Sequence, residues 1–112
     1  ANERQPWLHA LRSLILAADL PLVDIASQSA NPAAVWSSIG HGLRARTLRR
    51  RVKDWAKASR YFLLSSGSAW PKSLAAFLDY LQVLIDAAAP PSTVKSMKFA
   101  FHFLERAGGG TC

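Results

Sequence analysis

TLRRRVKDWAKASR, from Thr47 to Arg60, carries two stripes at one helical spacing. Leu48, Val52, Trp55, Ser59 and Phe62 recur at intervals of four, three, four and three. Arg46, Arg50, Lys53, Lys57 and Arg60 repeat the same intervals two residues out of phase. Two residues are about 200° on an α-helix, so the stripes lie on nearly opposite faces. One face is fit to enter a core, and the other presents a row of cations. Arg44 to Arg60 holds eight of the chain's 14 Lys and Arg but only one acid, Asp54. That local excess of seven equals the net charge of the whole chain, +7. Charge concentrated in this way points to an anionic partner such as nucleic acid.

Outward from this helix, every strong pattern keeps the helical period. An alternating strand run and an Asn-Gly or Asp-Gly hairpin signal are both missing. Pro6 suits the first turn of a helix reaching about Ala18, with Trp7, Leu11, Leu14 and Ile15 on one face. Pro21 ends it, and a short helix follows over Leu22 to Ser27. Asn31-Pro32 is a helix-start signal, with Asn31 as cap, for a short helix burying Val35, Trp36 and Ile39. Gly40 and Gly42 break that helix, and the basic helix follows from about Leu43 to Leu64.

Ser65 to Ser68 reads as a loop. Trp70-Pro71 opens the next helix, whose face is Leu74, Phe77, Leu78, Leu81, Leu84 and Ile85. Pro90-Pro91 stops it. Ser92 reads as the cap of a last helix with the face Val94, Met97, Phe101 and Leu104. Gly108 reads as its terminator, and Gly109-Gly110 as a flexible linker. The expected core unites Leu48, Val52, Trp55, Phe62, Leu74, Phe77, Leu78, Leu81, Leu84, Val94, Met97, Phe101 and Leu104. The fold class is all-α.

A chain of 112 residues, half of them hydrophobic, supports one domain with a real core. No run approaches the roughly 20 apolar residues of a membrane span. The longest apolar stretch, Leu14 to Ile25, is interrupted by Asp19, Pro21 and Asp24. The same stretch makes a poor signal peptide. Cys112 is the only cysteine, which excludes an internal disulfide or a cysteine metal cluster and suits a reducing, intracellular compartment.

His9, His41 and His102 fall on different segments, and no pair has zinc-site spacing. The seven acids are scattered, and no nucleophile stands in a catalytic motif. The sequence therefore calls for no cofactor, no metal and no catalytic residue. Nucleic-acid binding is better supported, because cations along a straight helix neutralise phosphates and release counterions. The last helix adds Ser92, Thr93, Lys95, Ser96 and Lys98 in its first turns, where free N–H groups favour phosphate and short polar side chains reach base edges. A solvated basic face is the plainer reading of the same charges. Phe99 and Phe103 lie off the apolar stripe of that helix.

Three segments, RTLRRRVKDWAKASRYF, WPKSLAAFLDYLQVL and PPSTVKSMKFAFHFLERAGG, resemble the N-terminal core-binding (SAM-like) domain of tyrosine recombinases and phage integrases. The likeness rests on a Thr47-opened helix bearing Trp55 and Phe62, a Pro71-led helix with Tyr80-Leu81, and Ser92-Thr93 through Gly108. It covers residues 43–109, leaving 1–42 as a helical extension and 110–112 as the start of a linker. The resemblance implies a compact orthogonal bundle of four to five helices that forms half of a clamp around double-stranded DNA. It implies DNA contacts from Thr47, Arg50, Arg51, Lys53 and Lys57, with Thr93, Lys95 and Ser96. The basic stripe adds Arg46 and Arg60, and the last helix adds Lys98. It also implies self-association through the first helix. The family's chemistry, DNA recombination and integration, resides in a separate C-terminal domain, and neither Tyr61 nor Tyr80 matches its nucleophile. A basic helical domain binding an acidic protein is the competing expectation.

Overall fold

The amphipathic basic segment forms the longest helix and the centre of the fold. A computed structural model describes residues 4–40 and 42–109. The sequence readings at His41, Gly110 and Cys112 lie outside the described residues. Six helices make up the regular structure of the described residues: α1 (Gln5–Ala18), α2 (Leu22–Ser27), α3 (Pro32–Ser38), α4 (Ala45–Ser66), α5 (Leu74–Asp86) and α6 (Pro91–Gly108). The fold is all-α, with two short helices, α2 and α3, beyond the bundle of four or five that the resemblance implies.

Helix α4 spans about 33 Å at 1.5 Å per residue. Its main neighbours are α6 and α1. All five members of its apolar stripe, Leu48, Val52, Trp55, Ser59 and Phe62, are buried. Trp55 has no exposed surface. Its ring lies 5.1 Å from Trp70, 5.6 Å from Phe101, 6.0 Å from Phe77 and 6.2 Å from Phe62. Phe77 and Phe101 stack at 4.1 Å. Tilted and offset rings at these separations attract one another beyond the area they bury. Leu11 and Ile15 of α1 enter the same core. Residues 1–42 differ from the rest in sequence pattern, but the hydrophobic core runs across that boundary.

The chain ends its helices by separate means. Asp19 adopts φ 53° at the end of α1, and the Leu20 N–H closes back to the Ile15 carbonyl. Asp is one of the few side chains that visit this left-handed region, and Pro21 then bars continuation. Asn31 caps α3 as expected, its Oδ1 accepting the Ala34 N–H at 3.2 Å. The α3 side chains Val35, Trp36 and Ile39 are only half-buried, because this short helix lies at the edge of the fold.

Several expectations are corrected, beginning with the expected loop over Ser65 to Ser68, since α4 runs on to Ser66 and Gly67 ends it at φ 78°. Helix α5 begins at Leu74, not at Trp70-Pro71, with Ser73 as cap accepting the Ala76 N–H. Trp70 instead plugs the core between Trp55 and Phe101. The buried side of α5 is Phe77, Tyr80 and Leu81, with Leu84 half-buried, while Leu74, Leu78 and Ile85 are exposed. Tyr80 faces inward because its ring packs on Tyr61 at 4.7 Å and Phe62 at 5.3 Å, which turns Leu74 and Leu78 outward. Pro90, not Ser92, precedes α6, and Val94 is half-buried.

Gly108 is the last residue of α6 and not its terminator. Gly109 ends the helix at φ 69°, donating its N–H to the Glu105 carbonyl. Gly108 is small for another reason: a Cβ there would lie 3.0 Å from the Cβ of Leu20, a buried residue. The Gly108→Ala variant is therefore expected to lose about 1–3 kcal/mol through overpacking, read as a lowered denaturation midpoint at unchanged helix content. An unchanged midpoint would show that Leu20 moves aside freely.

Candidate nucleic-acid interface

Helix α6 lays its first two turns beside the N-terminal half of α4, and a polar relay fixes that junction. The Ser96 hydroxyl is buried, at 6% exposure. It donates to Asp54 Oδ2 at 2.6 Å and accepts from Arg50 Nε at 3.0 Å. Each bond has a charged partner and is stronger than a neutral one. The single acid of the basic helix is thus turned toward the α4–α6 junction. Arg50 is held by Nε, and among the described residues its Nη atoms make no hydrogen bond. The guanidinium edge faces outward in a fixed orientation.

Above the relay lies an open cleft of about 390 Å³. Arg46, Thr47, Arg50 and Arg51 line it from α4, and Ser92, Lys95, Ser96 and Phe99 from α6. Arg51 Cζ lies 5.2 Å from the Phe99 ring centre, and Lys95 Nζ lies 5.9 Å from it. A second, larger and more open groove of about 680 Å³ runs along α4 past Arg46, Arg49, Arg50, Lys53, Asp54 and Lys57. Trp7 of α1 borders this groove, with Arg49 and Lys53 each 5.7 Å from its ring. These cation–π contacts keep long side chains extended along the surface.

The expected site residues divide accordingly. Arg46 and Arg50 belong to both hollows, Thr47, Arg51, Lys95 and Ser96 to the cleft, and Lys53 and Lys57 to the groove. Arg60, Thr93 and Lys98 are exposed but lie outside both. Ser96 is committed to Asp54 and Arg50, so its hydroxyl positions Arg50 and does not reach a base edge. Arg49, Trp7 and Phe99 join the surface although the stripe does not select them. Among the described residues, no Lys or Arg between Arg44 and Arg60 makes an ion pair within 4.0 Å. On α6, His102 Nδ1 lies 3.6 Å from Glu105 Oε1.

His9 and His102 are exposed on α1 and α6. Among the described residues, no three His, Cys, Asp or Glu side chains gather to hold a metal. No described helix is long and apolar enough to cross a membrane. The Tyr80 hydroxyl is held above its ordinary value of 10.0, first by burial, then by the Asp54 carboxylate and by Tyr61. A raised folded value leaves stability intact below the unfolded tyrosine value, about 10, and removes it as pH rises through the folded value. Tyr80→Phe should therefore flatten the alkaline fall in stability, measured as denaturant midpoints at about pH 8 and 11. An identical fall in both proteins would assign the alkaline loss to other groups.

No family model, curated protein or solved structure matches this chain.

Proposed function

We propose that this chain is a module that binds duplex DNA through the α4–α6 face, as the core-binding resemblance implies, with strand chemistry left to a separate domain of a tyrosine recombinase or integrase. One observation carries the reading. Cations from two helices meet over one cleft and continue along α4, and no acid within ion-pairing distance neutralises them among the described residues. Such an array repels itself until an anion arrives, and a regularly spaced polyanion satisfies it best. Arg50, fixed through its Nε, presents donors to a phosphate without first losing rotamer freedom. The module acts inside the cell, where its DNA is.

The competing reading is a protein-interaction domain whose basic face, the same cations along α4, meets an acidic protein partner. Titration of a labelled random-sequence duplex, followed by anisotropy, tests the choice. Saturable binding that unlabelled duplex competes away is the expected result. No binding at about 50 mM salt, where phosphate contacts are strongest, would return the basic face to a solvated surface. The chain is expected to leave supercoiled DNA uncut and unrelaxed.

A further inference from the structure

The cleft holds one residue that phosphate binding does not explain. Phe99 is 49% exposed and lies off the buried stripe of α6. It stands among Arg46, Arg50, Arg51 and Lys95, with the Arg51 and Lys95 side chains over its ring at 5.2 and 5.9 Å, contacts that a base stacking there would have to displace or share. A bare phosphate would use the cations and ignore the ring. An acidic peptide would need no planar apolar surface. A nucleotide needs both, because a π-face and an anion are joined in one unit. The cleft volume, about 390 Å³, falls in the range of small-ligand sites and suits one such unit, not a duplex.

We infer that Phe99 is a stacking platform for a base that has left the helix, with Arg46 and Arg50 holding the phosphate beside it. The inference rests on the duplex-binding reading and narrows its substrate to DNA with an unpaired or extruded base. In a regular duplex the bases are stacked inward, so only the backbone reaches the rim of the cleft. An unpaired base has already lost its stacking and can occupy the cleft at little cost. Stacking on an aromatic ring is tolerant of base identity. The side chain therefore selects for structure in the DNA, independently of its sequence.

The test compares an intact duplex with the same duplex carrying one bulged 2-aminopurine, both titrated into the full chain. The wild type is expected to bind the bulged DNA roughly tenfold more tightly, with the probe's fluorescence quenched on binding. Phe99→Leu should bring the ratio near one and abolish the quenching. Phe99→Trp should keep both. Circular dichroism verifies that each variant is folded. Equal wild-type affinity for the two DNAs would overturn the platform and leave the duplex reading standing. A tenfold ratio that survives Phe99→Leu would also overturn it, since the preference would then come from the bend at the bulge. Failure to bind either DNA would overturn both readings together.

Discussion

Trp55→Ala is expected to destabilise the chain by about 3–5 kcal/mol. The indole is fully buried, and four aromatic rings from α4, α6, α5 and the 67–73 connection pack within 6.2 Å of it. Its loss removes the transfer energy of the largest fully buried side chain and leaves a cavity that four rings on four separate segments cannot close together. Domains of this size are stable by only about 5–15 kcal/mol, so about a fifth of the total or more is at stake. Trp55→Phe should cost much less. The Trp55 indole N–H has no hydrogen-bond partner among the described residues, so phenylalanine forfeits volume but no polar contact. Denaturant titrations followed by circular dichroism check both variants. An alanine variant within 1 kcal/mol of wild type would mean that the aromatic cluster is not the keystone of the core.

The phase of α4 was legible because its sequence is polar on one side and apolar on the other, so only one rotation buries Trp55 and exposes Lys53. Helix α5 offers no such contrast. Leu74, Phe77, Leu78, Leu81, Val83, Leu84 and Ile85 surround much of its circumference, and the helical period alone selects no face. The packing of Tyr80 against Tyr61 and Phe62 decides the matter, and that contact joins residues about twenty positions apart. Trp70-Pro71 carried the wrong start signal for a similar reason. Proline does favour a first turn, but burial of Trp70 beside Trp55 outweighs that local preference.

The candidate surface was legible in part. Charge spacing along α4 is local information, and it located Arg46, Arg50, Lys53 and Lys57. The relay through Ser96 was not legible, because it joins Arg50 to a residue 46 positions away. As part of a helix start, Ser96 resembles a base-reading side chain; in the fold it lies beneath Arg50. Thr93, one turn earlier and exposed, remains free of that constraint. Phe99 could be recognised only as a residue that no core stripe required.

Replacing Arg46, Arg50 and Arg51 together by alanine is expected to lower duplex affinity by roughly two to three orders of magnitude at 0.1 M salt. If about five phosphates are neutralised in the wild-type complex, log affinity should fall against log salt with a slope of roughly −4 to −5. Each cation removed from a phosphate should flatten the slope by about one unit, so the triple variant should lie at roughly −1 to −2. Arg60→Ala, outside both hollows, should change the slope far less than Arg50→Ala. That contrast separates a docked array from a diffuse positive field, in which equal charges would contribute equally wherever they sat. Asp54→Asn provides the complementary probe. It turns the acceptor of the Ser96 hydroxyl from a carboxylate into a weaker neutral amide oxygen, and so loosens Arg50, while raising the net charge by one. A diffuse field predicts tighter binding for that variant. A preorganised Arg50 predicts weaker binding despite the added positive charge, with the salt slope near its wild-type value. The sign of the Asp54→Asn effect therefore decides whether the geometry of the relay or the charge of the helix governs the affinity.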